Sequence, residues 1–373
     1  MLIYLGLSAL ATFVAALALA VQGTLSALAA THLVLAVAIL PLIFGAITHF
    51  VPVLTRGAGA PRPVMLLPLL LQVAGVLVVL HFSGEAGLGT LHAAAEMDLL
   101  VATAFAGWLI SRARHTLGTP HPCWRWYLAA VAFLIVGLAL VPAMYAWPLM
   151  RQALRVLHLH VNTLGFIGLT AIATLQVLLP TVLSGPDAEA AVRLRRDLPQ
   201  ACAGVLATGL GAAFWWPLSL VGAGFLLLIA GRVCWSWQRR YGWRTLINDG
   251  ASAALTAALC GFVLLLGLGI MHGLGLIGGK DAIAAFMVAF LMPLVTGALS
   301  QLLPVWRYPG RRLPVRDQMR ERLIRGGAIR AFLFLGGGVL LAFGRLEGLG
   351  LAAAGLLLFL SVTIRAFSLP TPP

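Results

Sequence analysis

The sequence predicts an all-helical membrane protein with about twelve transmembrane helices. Hydrophobic residues make up 61% of the 373 residues, and the mean hydropathy is +1.00. Only 10% of the residues are charged, whereas about a quarter are charged in an average soluble domain. The apolar runs are long and continuous, which is typical of spanning helices and unlike the short alternating segments of a transmembrane barrel.

Twelve apolar segments are candidates to cross a bilayer, and we expect them to form one transmembrane domain over residues 1–373. The first six lie at approximately 2–22, 27–54, 64–82, 97–111, 127–148 and 156–183. The last six lie at approximately 200–216, 217–237, 250–272, 282–306, 328–344 and 348–367. Only Trp215-Trp216-Pro217 separates the seventh from the eighth, so these two are either separate helices or one kinked element.

The formal net charge is +14, but the basic residues lie in short loops and at span ends. This pattern is typical of topology signals, so we expect the lipid bilayer as a partner and no nucleic acid. The segments that follow even-numbered spans hold every Lys and Arg except Arg151, Arg155, Lys280 and Arg345. The positive-inside rule therefore predicts a multi-pass protein of the bacterial inner membrane with both termini in the cytoplasm.

Three spans end in a similar way, four spans apart. Near their ends lie the eight-residue segments Gly45 to Pro52, Ala173 to Pro180 and Gly297 to Pro304, each of which finishes in a proline. Internal periodicity of this kind is evidence about the fold. It predicts three pseudo-repeats of four helices, at approximately 1–125, 126–248 and 249–373.

Histidines mark the opposite ends of the first two of these repeated spans. The residues twenty positions before the three prolines are His32, His160 and Ala284. Twenty helical residues cover about 30 Å, so His32 and His160 are expected at one depth, just inside the outer face. His158 lies two residues before His160, and such a pair points about 200° apart on a helix. The two rings therefore reach different sites on opposite faces.

Twelve spans in three units, with histidines at the outer ends of spans 2 and 6, resemble subunit I of the haem-copper oxidases. By this resemblance, His32 matches the low-spin haem position, and His158 or His160 matches the metal position of span 6. A His-x-His pair serves two cofactors in that superfamily. Span 10 and span 7 lack the histidines of the superfamily here, and no tyrosine follows His160. The resemblance therefore implies a protein without a complete oxygen-reducing centre.

Two segments are also similar to the NnrS-type membrane proteins, a shorter family with haem that is linked to copper and nitric oxide metabolism. Span 2 runs from His32 to a Val51-Pro52 turn and a Thr55-Arg56-Gly57 loop, and Leu157-His158 is followed by Gly165 and Gly168. The Trp-His-Ala-His-Glu-Met motif of that family is replaced by Ala29-Ala30-Thr31-His32. The likeness implies haem b, with copper as a further cofactor.

Three other residues are candidates for cofactor binding. Arg151 and Arg155 lie just before the histidine pair and are expected either to neutralise haem propionates or to remain at the membrane boundary. His272 ends span 9 and is expected either to replace the missing ligand of span 10 or to be an interfacial histidine.

A second group of candidate metal ligands lies near the outer ends of spans 3 and 4. His81, His92 and Met97 occur there, and His92 and Glu96 have the i,i+4 spacing of one helix face if span 4 starts early. The group is expected to be either a copper or zinc entry site or a solvated loop.

The leading functional hypothesis is a haem-binding membrane protein that acts in electron transfer, nitric oxide response, or haem and copper handling. Such a protein is expected to meet a redox partner or respiratory subunits. The alternative is a cofactor-free transporter or copper-handling protein on the same fold. The sequence argues against proton coupling, because Asp98 and Asp249 both fall near predicted span ends.

Overall fold

The computed structural model describes residues 1–116, 118–183, 185–248, 250–310 and 313–370, and these contain helices but no strand. The prediction of an all-helical membrane protein is thus confirmed. The α-helices are α1 (Leu2–Gln22), α2 (Ala27–His32), α3 (Leu40–Leu54), α4 (Arg62–Phe82), α5 (Leu88–Arg114), α6 (Cys123–Ala146), α7 (Arg151–His160), α8 (Leu169–Leu183), α9 (Ala190–Phe214), α10 (Trp216–Asn248), α11 (Gly250–Gly273), α12 (Gly279–Ala285), α13 (Met292–Arg307), α14 (Pro314–Ile324), α15 (Gly327–Ala342) and α16 (Glu347–Phe367).

Three segments with π-helical hydrogen bonding join pairs of these helices into longer spans. They are π1 (Leu33–Ile39), π2 (Val161–Gly168) and π3 (Phe286–Leu291). With them, α2 and α3 form one span over Ala27–Leu54, and α12 and α13 form another over Gly279–Arg307.

Eleven of the described helical stretches are long and apolar enough to cross a membrane, one fewer than expected. The helix that falls outside this set is α9, which corresponds to the predicted seventh span. Its first three turns carry three arginines, Asp197 and Pro199, so its mean hydropathy is low. The chain is a multi-pass membrane protein on the strength of the other eleven.

Several helix boundaries differ from the predicted ones, among them the start of span 4. Span 4 begins at Leu88 instead of residue 97, so Asp98 lies about 15 Å inside α5 and not near its end. Polar residues such as His92 and Glu96 interrupt the apolar run in Leu88–Met97, so the sequence did not predict this part of the helix. The seventh and eighth segments are separate helices, because Trp215 adopts an extended backbone between α9 and α10. A positive φ at Gly242 interrupts α10 further along. Asp249 lies outside the described residues.

The helices α9 and α10 form a hairpin whose close approach depends on small residues. The Thr208 backbone and hydroxyl lie against Gly222, and Ser219 lies against Gly211. The Ser219 hydroxyl donates a hydrogen bond of 2.9 Å to the Thr208 carbonyl. Such contacts bring two backbones together where side chains would separate them.

The chain divides into two compact units. Unit 1 comprises Met1–Thr174 with Asp187–Ile229, and unit 2 comprises Leu175–Pro186 with Ala230–Pro373. In unit 1, π1 packs against α1 and α4, and π2 packs against α6 and α9. In unit 2, π3 packs against α11 and α15. Each π-helical segment thus contacts the span before it and the span after it.

Proline accounts for two of the π-helical segments. Pro41 and Pro293 each lie two residues after such a segment, and proline lacks the N–H that would bond the carbonyl four residues earlier. Those carbonyls belong to Val37 and Ala289. The Gln72 amide of α4 lies 3.4 Å from the Val37 carbonyl, and Gly261 of α11 lets its helix approach Ala289 closely.

No proline lies two residues after the remaining segment, π2, and polar side chains support it instead. The Asn162 amide donates to the His158 carbonyl at 2.8 Å, and the Thr163 hydroxyl donates to the Leu159 carbonyl at 2.7 Å. The His158 carbonyl also accepts from the Val161 N–H, so these side-chain donors add hydrogen bonds where the helical register changes.

The α9–α10 hairpin gives a stability test. Alanine at Gly222 would place a methyl group against Thr208 and 2.6 Å from the Gly204 carbonyl. We expect Gly222→Ala to destabilise the protein by about 1–3 kcal/mol, as other overpacking changes do. Gly224→Ala is the matched control, because no atom lies within 4 Å of its added methyl group. Thermal unfolding of the purified protein in detergent measures both, and equal Tm values would contradict the packing.

Candidate functional site

Unit 1 brings His32 and His158 close to each other. His32 is the last residue of α2 and directly precedes π1, and His158 lies on α7 three residues before π2. In their protonated forms, the two imidazoles are near enough for their charges to repel each other. Two spans that are far apart in sequence therefore place nitrogen ligands in one region.

Both rings are held by backbone carbonyl groups in a way that fixes their tautomer. His32 Nδ1 lies 2.8 Å from the Leu28 carbonyl, and His158 Nδ1 lies 2.7 Å from the Gly137 carbonyl. A carbonyl only accepts, so Nδ1 carries the proton and the lone pair is on Nε2. Histidines that bind metals commonly have this arrangement, since the second hydrogen bond orients the ring.

The structure places His158, and not His160, beside His32. His160 lies on the opposite face of α7, where its Cβ packs against Gly209 of α9 and its Nδ1 lies 2.8 Å from the Val156 carbonyl. The expected divergence of the two rings is thus present, and of the two alternatives it favours His158 as the partner of His32. Counting back from Pro180 predicts only the depth of a residue in the membrane. Residues on opposite faces of a helix can have nearly the same depth.

Gly137 and Asn162 hold His158 in place, and the sequence analysis did not identify either as a site residue. The Asn162 side chain packs directly on Gly137 and donates to the His158 carbonyl at 2.8 Å. The Gly137 carbonyl accepts from the His158 ring. A glycine inside an apolar helix signals a close approach, so Gly137 was detectable as a packing residue but not as a ligand support.

Phe82 covers the His32 ring on one side. The two ring centroids are 4.6 Å apart with an interplanar angle of 28°. Phe82 also packs against an apolar cluster formed by α4, α5 and α6, and Met97 belongs to the same cluster. Met97 therefore packs as an apolar side chain.

The other two residues of the predicted entry site have local contacts. His81 Nδ1 lies 3.1 Å from the Ala86 carbonyl, and His92 lies edge-on to Tyr145 with centroids 5.2 Å apart. Within the described residues, no group of three or more His, Cys, Asp or Glu could hold a metal ion. Copper at His81, His92 and Met97 thus stays a prediction without a three-ligand cluster to support it.

Arg151 and Arg155 lie on the same face of α7 as His158. Positions seven and three residues before His158 fall on one side of a helix, and both arginines are exposed. The Arg151 guanidinium lies over the Tyr145 ring at 5.0 Å and bonds the Met144 carbonyl at 3.2 Å. Two cations therefore lie on this face of α7, between the His158 imidazole and the start of the helix.

His272 belongs to unit 2 and lies at the end of α11. Its Nδ1 lies 3.0 Å from the Ile277 carbonyl in the following turn, and the side chain is exposed. This hydrogen bond gives it a structural role in the turn.

Asp98 is a buried acid that the sequence analysis placed at a helix end. Only 3% of the residue is exposed, and its Oδ1 has no hydrogen-bond partner among the described residues. Ionisable groups inside a membrane are costly and commonly functional. Because α5 starts at Leu88, Asp98 lies in the interior of a span and not at its end.

Comparison with protein-family models, with curated proteins and with solved structures found no match. The likeness to haem-copper oxidases and NnrS-type proteins therefore rests on the sequence motifs of this chain alone.

Proposed function

We propose that this chain is a haem-binding integral membrane protein of the haem-copper oxidase superfamily that lacks a complete oxygen-reducing centre. The observation that carries the proposal is the approach of His32 to His158, with both Nδ1 atoms bonded to backbone carbonyls. We further propose electron transfer as its activity, in a nitric oxide response or in haem and copper handling, with a redox partner or respiratory subunits.

The donor set fits a haem b. Two neutral imidazoles from different helices, those of His32 and His158, each with its lone pair on Nε2, would hold the haem iron. The bound haem would supply one-electron transfer, and two histidine ligands would leave no position for a gas ligand. The chain itself supplies orientation, because the Leu28 and Gly137 carbonyls fix the two rings. It supplies charge through Arg151 and Arg155, whose guanidinium groups suit haem propionates.

The finer architecture is also part of the proposal: twelve crossings in three pseudo-repeats, with both termini in the cytoplasm of a bacterium. The first π-helical residues lie 19, 19 and 18 positions before Pro52, Pro180 and Pro304, which supports a threefold repeat. The hairpin contacts of α9 along α10 support α9 as the twelfth crossing.

A cofactor-free transporter is the second candidate, and Asp98 is the observation that favours it. A buried carboxyl group without a partner inside a span is a suitable proton-binding group for coupled transport. The absorption spectrum separates the two candidates, because a purified transporter of this kind is colourless.

The first test is the visible absorption spectrum of the purified protein and of three histidine variants. We expect a Soret band that is lost in His32→Ala and in His158→Ala, because each removes one axial ligand. His160→Ala is the matched control and keeps the band, since His160 faces α9. Pyridine haemochrome analysis gives the haem content of each.

Two results would contradict the assignment. A protein purified without any haem would remove the cofactor, and the transporter candidate would then stand. Loss of the Soret band in His160→Ala but not in His158→Ala would keep the haem and change its ligand.

Gly137→Ala tests the support of His158. The new methyl group would lie 2.9 Å from Asn162 Cγ, so Asn162 must move away from the His158 carbonyl. We expect haem affinity to fall by about 10–100-fold, the usual cost of disturbing such a support. Haem transfer to apomyoglobin measures the affinity. Gly107→Ala, whose methyl group meets no atom within 4 Å, should leave it unchanged; equal affinities for all three proteins would refute the role.

Arg151→Gln with Arg155→Gln tests the role of the two cations. Cations favour the reduced haem, which carries one more negative charge, so their removal should lower the midpoint potential. A contribution of about 0.5–1 kcal/mol, typical of exposed ion pairs, corresponds to about 20–40 mV. Spectroelectrochemical titration measures the shift. Arg345→Gln, whose guanidinium pairs with Glu347 in unit 2, is the control; an unchanged or raised potential in the double variant would argue against propionate contacts.

A further inference from the structure

A pocket of about 70 Å³ lies in unit 1 where the chain enters α6. A single water needs only about 10–15 Å³, so this space accommodates a group the size of a phosphate. Its lining comes from the loop before α6, from the first turn of α6 and from α9, and consists of Thr119, Pro120, Pro122, Trp124, Arg125 and Arg195.

Two guanidinium groups give the pocket its charge. Arg125 comes from α6 and Arg195 from α9, and neither has an acidic partner among the described residues. The carboxylates nearby on and before α9 are paired elsewhere, since Asp187 bonds Arg193 at 2.6 Å and Asp197 bonds Arg196 at 2.7 Å. The pocket therefore holds two uncompensated positive charges.

His121 adds no further charge at neutral pH. Burial, and to a smaller extent the positive charge of Arg195, lower the pKa of His121 below its ordinary value. Its backbone N–H bonds the Leu54 carbonyl at 3.0 Å, which fixes the loop that forms one wall.

The walls of the pocket are apolar. Pro120, Pro122 and the Trp124 indole line it beside the two cations. The pocket lies at the N-terminal end of α6, which is a candidate membrane span. Trp and Arg side chains are typical of the membrane–water boundary. A ligand with an anionic head and an apolar body matches both parts of this lining.

We propose that this pocket binds the phosphodiester head group of an anionic phospholipid. The guanidinium groups of Arg125 and Arg195 contact the phosphate oxygens, and the glycerol and upper acyl carbons pack against Trp124 and the prolines. Free phosphate offers the same anionic oxygens but gains nothing from the apolar walls. The proposal is independent of haem binding.

Native mass spectrometry of the full chain in detergent, titrated with phosphatidylglycerol, tests the site. We expect one tightly bound phosphatidylglycerol, and weaker binding of phosphatidylcholine. Arg125→Gln with Arg195→Gln should weaken phosphatidylglycerol binding by about thirtyfold, at roughly fivefold for each cation near a membrane surface. Lysine at both positions should restore most of the affinity and shows that the variants fold.

Arg239→Gln is the matched control, because Arg239 lies over Trp235 at 5.9 Å much as Arg125 lies over Trp124 at 5.8 Å. It should leave the affinity within about twofold, well below the effect of one cation at the surface. An equal loss in the control and the double variant would overturn the site in favour of diffuse attraction. Equal binding of phosphatidylcholine, or displacement of the lipid by millimolar inorganic phosphate, would overturn it as well.

Discussion

The carbonyl groups released by the three π-helical segments must find partners, and this constraint governs much of the structure around them. No water is present in the hydrocarbon core to satisfy a freed carbonyl, and each unpaired group is costly there. The Val37 carbonyl accepts from the amide of Gln72, and the His158 carbonyl accepts from the amide of Asn162 in addition to the Val161 N–H. At Ala289 the neighbouring backbone approaches closely, because Gly261 has no side chain.

The same constraint positions the imidazoles. Asn162 reaches the His158 carbonyl only because Gly137 has no side chain in the way, and the Gly137 carbonyl is then left facing the His158 ring. Support of the backbone and orientation of the ring thus come from one contact between α6 and the α7–π2 segment. π-helical turns are often found at functional sites. Here π2 contributes Asn162, whose amide supports the residue that carries the His158 ring.

Hydropathy predicts most of the helical spans, and the repeated prolines indicate how they are related. The site depends on helix boundaries and on rotation about the helix axis, which neither pattern records. Long apolar runs gave the spans, since a span in lipid has to be a helix. The start of α5 was missed because Thr90, His92 and Glu96 interrupt the apolar run at its beginning, and Asp98 was misplaced with it. The choice between His158 and His160 depends on rotation about α7. Residue counting across a π-helical segment does not preserve that rotation, because such a segment inserts a residue into the helical register.

The absence of α9 from the eleven candidate spans has its own physical cause. A hydropathy average treats every charged residue as solvated and unpaired. Three arginines and Asp197 therefore lower the mean hydropathy of α9. In the structure, Arg193 pairs with Asp187 and Arg196 pairs with Asp197, which lowers the cost of bringing these side chains to a membrane boundary. The remaining part of α9, from Ala201 to Phe214, follows α10 through small residues such as Gly204 and Gly222. This part of α9 also exposes the apolar side chains of Leu206, Leu210 and Phe214, so the low mean hydropathy comes from the charged start of the helix.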